Sequence, residues 1–378
     1  MQPWAAALSA ALFGADQRQP QPDTWERIEE LATLGDTVDT VLRSCRLPLL
    51  EQLERTPAEW RPAVIDSHAV DGELELSFVT AAACRGAMRD LHAVRSLVVH
   101  RHPSGESDYG SGSSYDPDEV HVEELAFALD VVATMPALRS LQLDFSRIWV
   151  IGDEQDLAPA LARLSQLAAL NLCATFYAVP GAADVLAESL GELTALTALD
   201  LRCNSFWADA AKALAPALCC LSRLAHLDLG HNRVGGTGAA ALAQPLSTLT
   251  ALTALQLCDN SISTAGAEAL APALGRLSRL ARLSLTHNNI GADGAAALAR
   301  PLAALTALTA LKLGSNTLED AGVEALAPAL SCLSQLAHLD LSYNSLGDAS
   351  LTSLRQIREA LTALTDLGLI GNDLSRWP

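Results

Sequence analysis

Two residue pairs, His226 with Asp228 and His338 with Asp340, set an imidazole and a carboxylate two positions apart in short segments that read HLDL. On a β-strand that spacing puts both side chains on one face, where they could exchange a proton or begin a metal site. Either chemistry needs further groups converging in a closed pocket. If the copies of the pattern around them stack, the two pairs stand four strands apart, roughly 20 Å at a strand spacing of about 4.8 Å. They cannot converge on one ion.

The eight cysteines (Cys45, Cys84, Cys173, Cys203, Cys219, Cys220, Cys258 and Cys332) form no C-x-x-C pair and no zinc spacing. They are read as reduced thiols, which points to the cytoplasm, or to a host cell's cytoplasm for a secreted effector. Cys203 and Cys258 are read as small space-filling residues. Neither a Gly-rich phosphate loop nor a G-x-S-x-G elbow occurs. The expectation is a protein that is not an enzyme and uses no cofactor and no metal.

The element that positions all these residues is the run Leu252 to Asn260 with Ile262, of pattern L-x-x-L-x-L-x-x-N-x-I, the strand-and-turn half of a leucine-rich repeat. Its first leucine recurs at 138, 167, 196, 224, 252, 280, 308, 336 and 364, at intervals of 29, 29 and then 28 residues. Leu199, Leu227, Leu255, Leu283, Leu311 and Leu339 hold the fourth position, and Leu201, Leu229, Leu257, Leu285, Leu313 and Leu341 the sixth. Strand alternation sends these leucines inward together and the residues between them outward. Asn204, Asn232, Asn260, Asn288, Asn316, Asn344 and Asn372 hold the ninth position, with Ser146 and Thr175 standing in earlier. An inward Asn there can pair the backbone of the bend, where unpaired groups would cost about 1–3 kcal/mol each.

The other half of each repeat, for example GAEALAPAL (266 to 274), has Ala and Leu at helical spacing. Gly235, Gly266 and Gly294 are placed where the turn gives way to the helix. Pro159, Pro216, Pro245, Pro272, Pro301 and Pro328 recur inside these segments and predict a helix that kinks or ends nearby, followed by a short turn. LTALTAL (193, 249, 305) alternates with LSRLAHL, LSRLARL and LSQLAHL (221, 277, 333), so the larger unit is 56 residues.

Half of the 378 residues are hydrophobic and 4% aromatic, which suits thin identical layers packed by Leu and Ala. A formal charge of −19 disfavours nucleic acid, and no apolar run reaches the length of a membrane span. The N-terminal AAALSAALFGA lacks a preceding Lys or Arg, against a signal peptide.

The fold class expected is α/β: a leucine-rich-repeat solenoid, or horseshoe, with a concave parallel β-sheet and helices on the convex face. Residues 1–65 are expected to form a helical N-terminal cap region and 66–378 the repeat domain, with LELSFV (74–79) and VRSLVVH (94–100) as irregular opening strands. The Gly/Ser/Pro/acidic stretch at about 102–124 is expected to be a mobile insertion.

Repeats of 28 and 29 residues, each with a full helix, resemble the ribonuclease-inhibitor class of leucine-rich repeats. The run G-A-x-A-L-A at 266–271 and 294–299 resembles the GALA-type bacterial repeats of plant-pathogen effectors. That likeness implies an F-box ahead of the repeats, and TVDTVLRSCRLPLLEQL, within residues 24–55, is similar to the later part of one. It makes an F-box-like ubiquitin-ligase substrate adaptor or bacterial effector the alternative function. A second alternative is a GTPase-activating protein like those acting on Ran, with Arg202 and Arg282 as available arginines.

The leading expectation is a non-enzymatic protein-interaction scaffold, monomeric, binding a protein partner on the concave face. Candidate contacts are Arg202, His226, Asp228, His231, Asp259, Arg282, His287, Lys312, His338, Asp340 and Tyr343, with Trp149 and Trp207 as rim anchors. Their variety on fixed positions is what recognition requires.

Overall fold

The computed structural model describes residues 73–77, 96–100, 119–121, 129, 133, 138–144, 149–151, 157–176 and 181–377. The expected N-terminal cap, the F-box-like segment and most of the 102–124 insertion lie outside them. The chain divides into two compact units, Met1–Asn171 and Leu172–Pro378.

In the first unit, β1 (Glu73–Ser77), β2 (Ser96–His100), β4 (Ser140–Asp144) and β6 (Ala169–Asn171) pair in parallel in that order. A separate parallel pair joins β3 (Glu119–His121) to β5 (Trp149–Ile151). The tail of the stretch read as an insertion is therefore a strand. One helix is described here, α1 (Leu157–Ala162), with Pro159 in its first turn, where its missing N–H would have no helical partner anyway.

The second unit repeats one motif. Its strands are β7 (Ala198–Asp200), β8 (His226–Asp228), β9 (Ala254–Gln256), β10 (Arg282–Ser284), β11 (Ala310–Lys312), β12 (His338–Asp340) and β13 (Asp366–Gly368). Each pairs in parallel with the next, in a register that aligns Leu199, Leu227, Leu255, Leu283, Leu311, Leu339 and Leu367 in one column. The first six of these leucines are at most 2% exposed, each worth about 1.5–3 kcal/mol of burial. The helices are α2 (Ala182–Leu190), α3 (Ala208–Cys220), α4 (Gly235–Thr248), α5 (Ser263–Leu274), α6 (Gly291–Ala303), α7 (Glu319–Leu330) and α8 (Leu351–Ala360). Alternating parallel strands and helices on a leucine repeat make this an α/β leucine-rich-repeat solenoid.

The prolines at 216, 245, 272, 301 and 328 sit in the last turn or so of α3 to α7, which end two to four residues later. Each chain then steps to the next strand through turns three residues long, as in Leu277 N–H to Leu274 O at 3.0 Å and Leu280 N–H to Leu277 O at 2.9 Å. The leucines spaced by three are buried at every such step.

Gly266 and Gly294 are not at the junction of turn and helix. They lie three residues inside α5 and α6, in line with Gly238 and Gly322, and serve helix contact. A Cβ on Gly266 would come within 2.6 Å of Ile262 Cγ2, 3.0 Å of Gly236 Cα and 3.1 Å of Ala239 Cβ. The junction itself is Gly235, Ser263, Gly291 and Glu319, all with positive φ.

The asparagine column is a continuous ladder. Asn288 Nδ2 donates to Leu257 O, Leu285 O and Thr286 O at 2.8, 2.9 and 3.2 Å, and its Oδ1 accepts from the Asn260 and Ile262 amides at 3.0 and 3.3 Å. Asn232, Asn260, Asn288, Asn316 and Asn344 are fully buried. The residues on either side of each rung are left-handed: Cys203 and Ser205, His231 and Arg233, Asp259 and Ser261, His287 and Asn289, Ser315 and Thr317, Tyr343 and Ser345. A non-glycine residue there costs about 1–2 kcal/mol, so the ladder holds strain that local preference opposes. Thr175 occupies the same position with a hydroxyl that reaches Cys173 O at 3.5 Å.

Candidate functional site

Three columns of outward side chains face away from the leucines of the second unit. The first two are on the strands: Ala198, His226, Ala254, Arg282, Ala310, His338, Asp366, and Asp200, Asp228, Gln256, Ser284, Lys312, Asp340, Gly368. The third lies just before each ladder asparagine and holds Cys203, His231, Asp259, His287, Ser315 and Tyr343. Left-handed backbone turns these last side chains outward; His231, Asp259, His287 and Tyr343 are all exposed. The eleven candidate contacts thus divide between strand and turn, on one side of the unit. Trp207 is exposed at the start of α3, with Arg233 stacked 5.4 Å from its ring centre. Trp149 belongs to β5 in the other unit.

His226 and Asp228 do not form a pair. Asp228 accepts the Gly230 amide at 2.9 Å and stands 3.4 Å from Arg202 Nε. His338 likewise turns from Asp340 to Asp366 on the next strand, 3.7 Å away, while Asp340 accepts the Ser342 amide at 2.9 Å. The same i to i+2 bond joins Asp200 to the Arg202 amide at 3.0 Å. An aspartate at this position closes its own strand end in the manner of an Asx turn, a local role that the HLDL spacing conceals.

The structure does bring together Asp200, Arg202 and Asp228. Arg202 Nε bonds both Asp200 oxygens, at 3.1 and 3.0 Å, and its Nη2 lies 2.8 Å from Asp200 Oδ2. The Asp200 bond raises the guanidinium pKa further, against the effect of burial. Beside this cluster, His231 Nδ1 meets Asp259 Oδ2 at 2.8 Å. Asp200 and Asp366 are not among the sequence candidates; Asp200 meets Arg202 two residues along its own chain segment, and Asp366 stands directly opposite His338 in the register of β12 and β13.

Burial pushes the Asp228 carboxyl up to about 6; the Gly230 amide opposes this, Asp200 adds to it, and Arg202 and His231 offset it. Burial, then the negative charge of Asp200, lifts the Cys173 thiol to about 11 despite Arg202 nearby. The half-buried Cys258 thiol is raised by burial and by Asp228. Thiols held protonated are poor nucleophiles. Among the described residues no three His, Cys, Asp or Glu side chains are grouped to hold a metal ion.

Asp228 also makes stability depend on pH. An unfolded aspartate titrates near 3.9 and the folded one near 6, so the folded chain keeps the extra proton between those values. The stability from this group is present below about pH 4 and lost as pH rises through 6, on the order of 1–3 kcal/mol. Asp228→Asn retains an acceptor for the Gly230 amide and removes the titration. Urea unfolding at pH 5 and pH 7.5 should show a smaller loss of stability in Asp228→Asn than in the wild type. Equal losses would contradict the buried carboxyl.

Five segments, 224–243, 248–271, 280–299, 304–327 and 335–354, match the family model described as Leucine Rich repeat. With the stacked strands and helices these repeats make the chain a leucine-rich repeat protein. No curated protein matches it in sequence. Among solved structures it is similar to the leucine-rich repeat-containing protein LegL7 from Legionella pneumophila, at 19% identity over 80% of this chain and 88% of that one, TM-score 0.42. It is also similar to an internalin, InlF, from Listeria monocytogenes, at 20% identity over 65% of this chain and 78% of that one, TM-score 0.33. No described helix is long and apolar enough to cross a membrane.

Proposed function

We propose that the chain is a non-catalytic binding scaffold whose strand face and adjoining turns hold a folded protein partner. One observation carries this reading. The inward positions repeat Leu and Asn without change, while the outward column reads Ala, His, Ala, Arg, Ala, His, Asp along β7 to β13. Packing dictates the first set and leaves the second free for recognition. The contacts proposed are His226, Asp228, His231, Asp259, Arg282, His287, Lys312, His338, Asp340 and Tyr343. Arg202 takes part through its bridge between Asp200 and Asp228, so its removal should leave two neighbouring carboxylates without their shared counter-charge. The full helices of 12 to 14 residues in α3 to α7 support a ribonuclease-inhibitor-like class, and the glycine column that begins the G-A-x-A-L-A runs supports a GALA-type origin.

A benzophenone side chain placed at Gln256, in the middle of the strand face, tests the reading. In an extract of the source cell it should cross-link to a discrete protein, whereas the same probe at Glu268, exposed on α5, should not. Equal cross-linking from both positions, or none from Gln256, would remove the strand face as the binding surface.

A further inference from the structure

Charge on the strand face is ordered along the strands. β7 and β8 carry Asp200 and Asp228, and β12 and β13 carry Asp340 and Asp366, with Asp259 on the turn after β9. Arg202 is engaged with Asp200 and Asp228, and the imidazoles of His231 and His338 lie against Asp259 and Asp366. Between them, β10 and β11 carry Arg282 and Lys312, the only Lys or Arg within β7 to β13. Both are exposed, and neither has an ion-pair partner among the described residues.

Register places the two on adjacent strands one diagonal step apart, since Arg282 aligns with Ala310 and Ser284 with Lys312. Strands about 4.8 Å apart let both reach one group or two neighbouring groups of a ligand. Their surroundings leave room. Arg282 is flanked by Ala254 and Ala310, and Lys312 stands between the buried Ser284 and Asp340, the first of the bordering acids, with which it forms no ion pair. A guanidinium above small side chains can present its planar fork to a carboxylate in bidentate geometry.

In a chain of formal charge −19, two unmatched cations fixed at the centre of the proposed binding face have a direct physical reading. We infer that β10 and β11 recognise an acidic segment of the partner protein, a cluster of Asp or Glu side chains bordered on both sides by Lys or Arg. The central carboxylates meet Arg282 and Lys312. The bordering cations meet Asp228 on one side and Asp340 and Asp366 on the other. A ligand of uniform negative charge, such as a nucleic acid, satisfies the centre and is repelled at both ends, so the pattern also supplies discrimination. This inference rests on the scaffold reading and specifies the partner's charge pattern.

Two fluorescein-labelled peptides test it by anisotropy against the full chain at low ionic strength. One has four central Glu bordered by three Lys on each side; the other has four central Lys bordered by three Glu. The first should bind at least tenfold more tightly. Arg282→Glu with Lys312→Glu should reverse the preference, while leaving the circular dichroism spectrum and thermal midpoint near those of the wild type. Asp228→Lys with Asp340→Lys should weaken the first peptide. Equal binding of the two peptides, preference for the inverse one, or a preference that survives charge reversal at 282 and 312 would overturn the inference. A face that cross-links at Gln256 yet shows any of those results retains the scaffold reading and loses only this charge pattern. A face that neither cross-links nor discriminates loses both.

Discussion

Asn288→Ala should lower the unfolding free energy by about 3–5 kcal/mol, the largest effect expected of any single polar substitution in the repeats. Five hydrogen bonds meet at this side chain, two from the amides of Asn260 and Ile262 and three to the carbonyls of Leu257, Leu285 and Thr286. Alanine leaves the Asn260 and Ile262 amides and Leu257 O without a partner in a fully buried site, while Leu285 O keeps Asn316 Nδ2 and Thr286 O keeps the Asp259 amide. Each orphaned group costs about 1–3 kcal/mol, partly recovered by local relaxation. The substitution also releases the left-handed His287 and Asn289 from the rung that fixes them. Asn288→Asp keeps an acceptor and loses the donors while burying a charge, so it should be no milder. Urea denaturation read by circular dichroism checks both variants, with Glu268→Ala, exposed on α5, expected within about 0.5 kcal/mol of the wild type.

Gly266→Ala reverses the usual sign of a helical glycine substitution. In an unobstructed helix interior, alanine is better than glycine by about 1 kcal/mol. Here the added Cβ would stand 2.6 Å from Ile262 Cγ2 and 3.0 Å from the Gly236 backbone, closer than carbon atoms tolerate. The helices must separate or the Ile262 side chain must leave its buried position, and overpacking of this kind costs about 1–3 kcal/mol. A net loss of about 1–2 kcal/mol is expected, and Gly266→Val should lose more because its branches enter the same gap. Gly275→Ala is the contrast: its nearest contact is Pro301 Cβ at 3.4 Å and its φ is −61°, so alanine there should be neutral or mildly stabilising. Thermal and urea unfolding of the three variants separate the close approach from propensity.

The leucines and asparagines made the fold legible because both obey one period, and a strict period allows only one way to stack. The strands follow from Leu199, Leu201 and their equivalents, which are buried as the alternation requires. The glycine column at 238, 266, 294 and 322 is equally regular, yet a spacing of 28 cannot say whether a small residue serves a turn or a contact. Only the distance between helices decides that. The left-handed residues beside each rung are invisible to propensity, since His231, Asp259 and Tyr343 are held there by the ladder and not by their own preference.

The site was legible in outline and not in its pairings. Outward positions follow from strand alternation, so Arg282, Lys312 and His338 could be placed on one side of the repeats from the sequence. The partners of each charge depend on register between strands and on bonds at the strand ends. Asp228 takes the Gly230 amide and stands beside Arg202 in place of the adjacent His226, and His338 faces Asp366. No pattern within a single repeat encodes a contact made with the next one.

The central claim is that packing leaves the outward strand residues free to hold a protein. Chemical footprinting of carboxyl and amino groups, applied to the free chain and to the complex isolated through the Gln256 cross-link, tests it directly. Binding should protect Lys312, Asp340 and Asp366 on the strand face and leave Glu268 and Glu324 on the helices as reactive as before. Protection of Glu268 and Glu324 with unchanged reactivity at Lys312, Asp340 and Asp366 would place the partner on the helices and contradict the account.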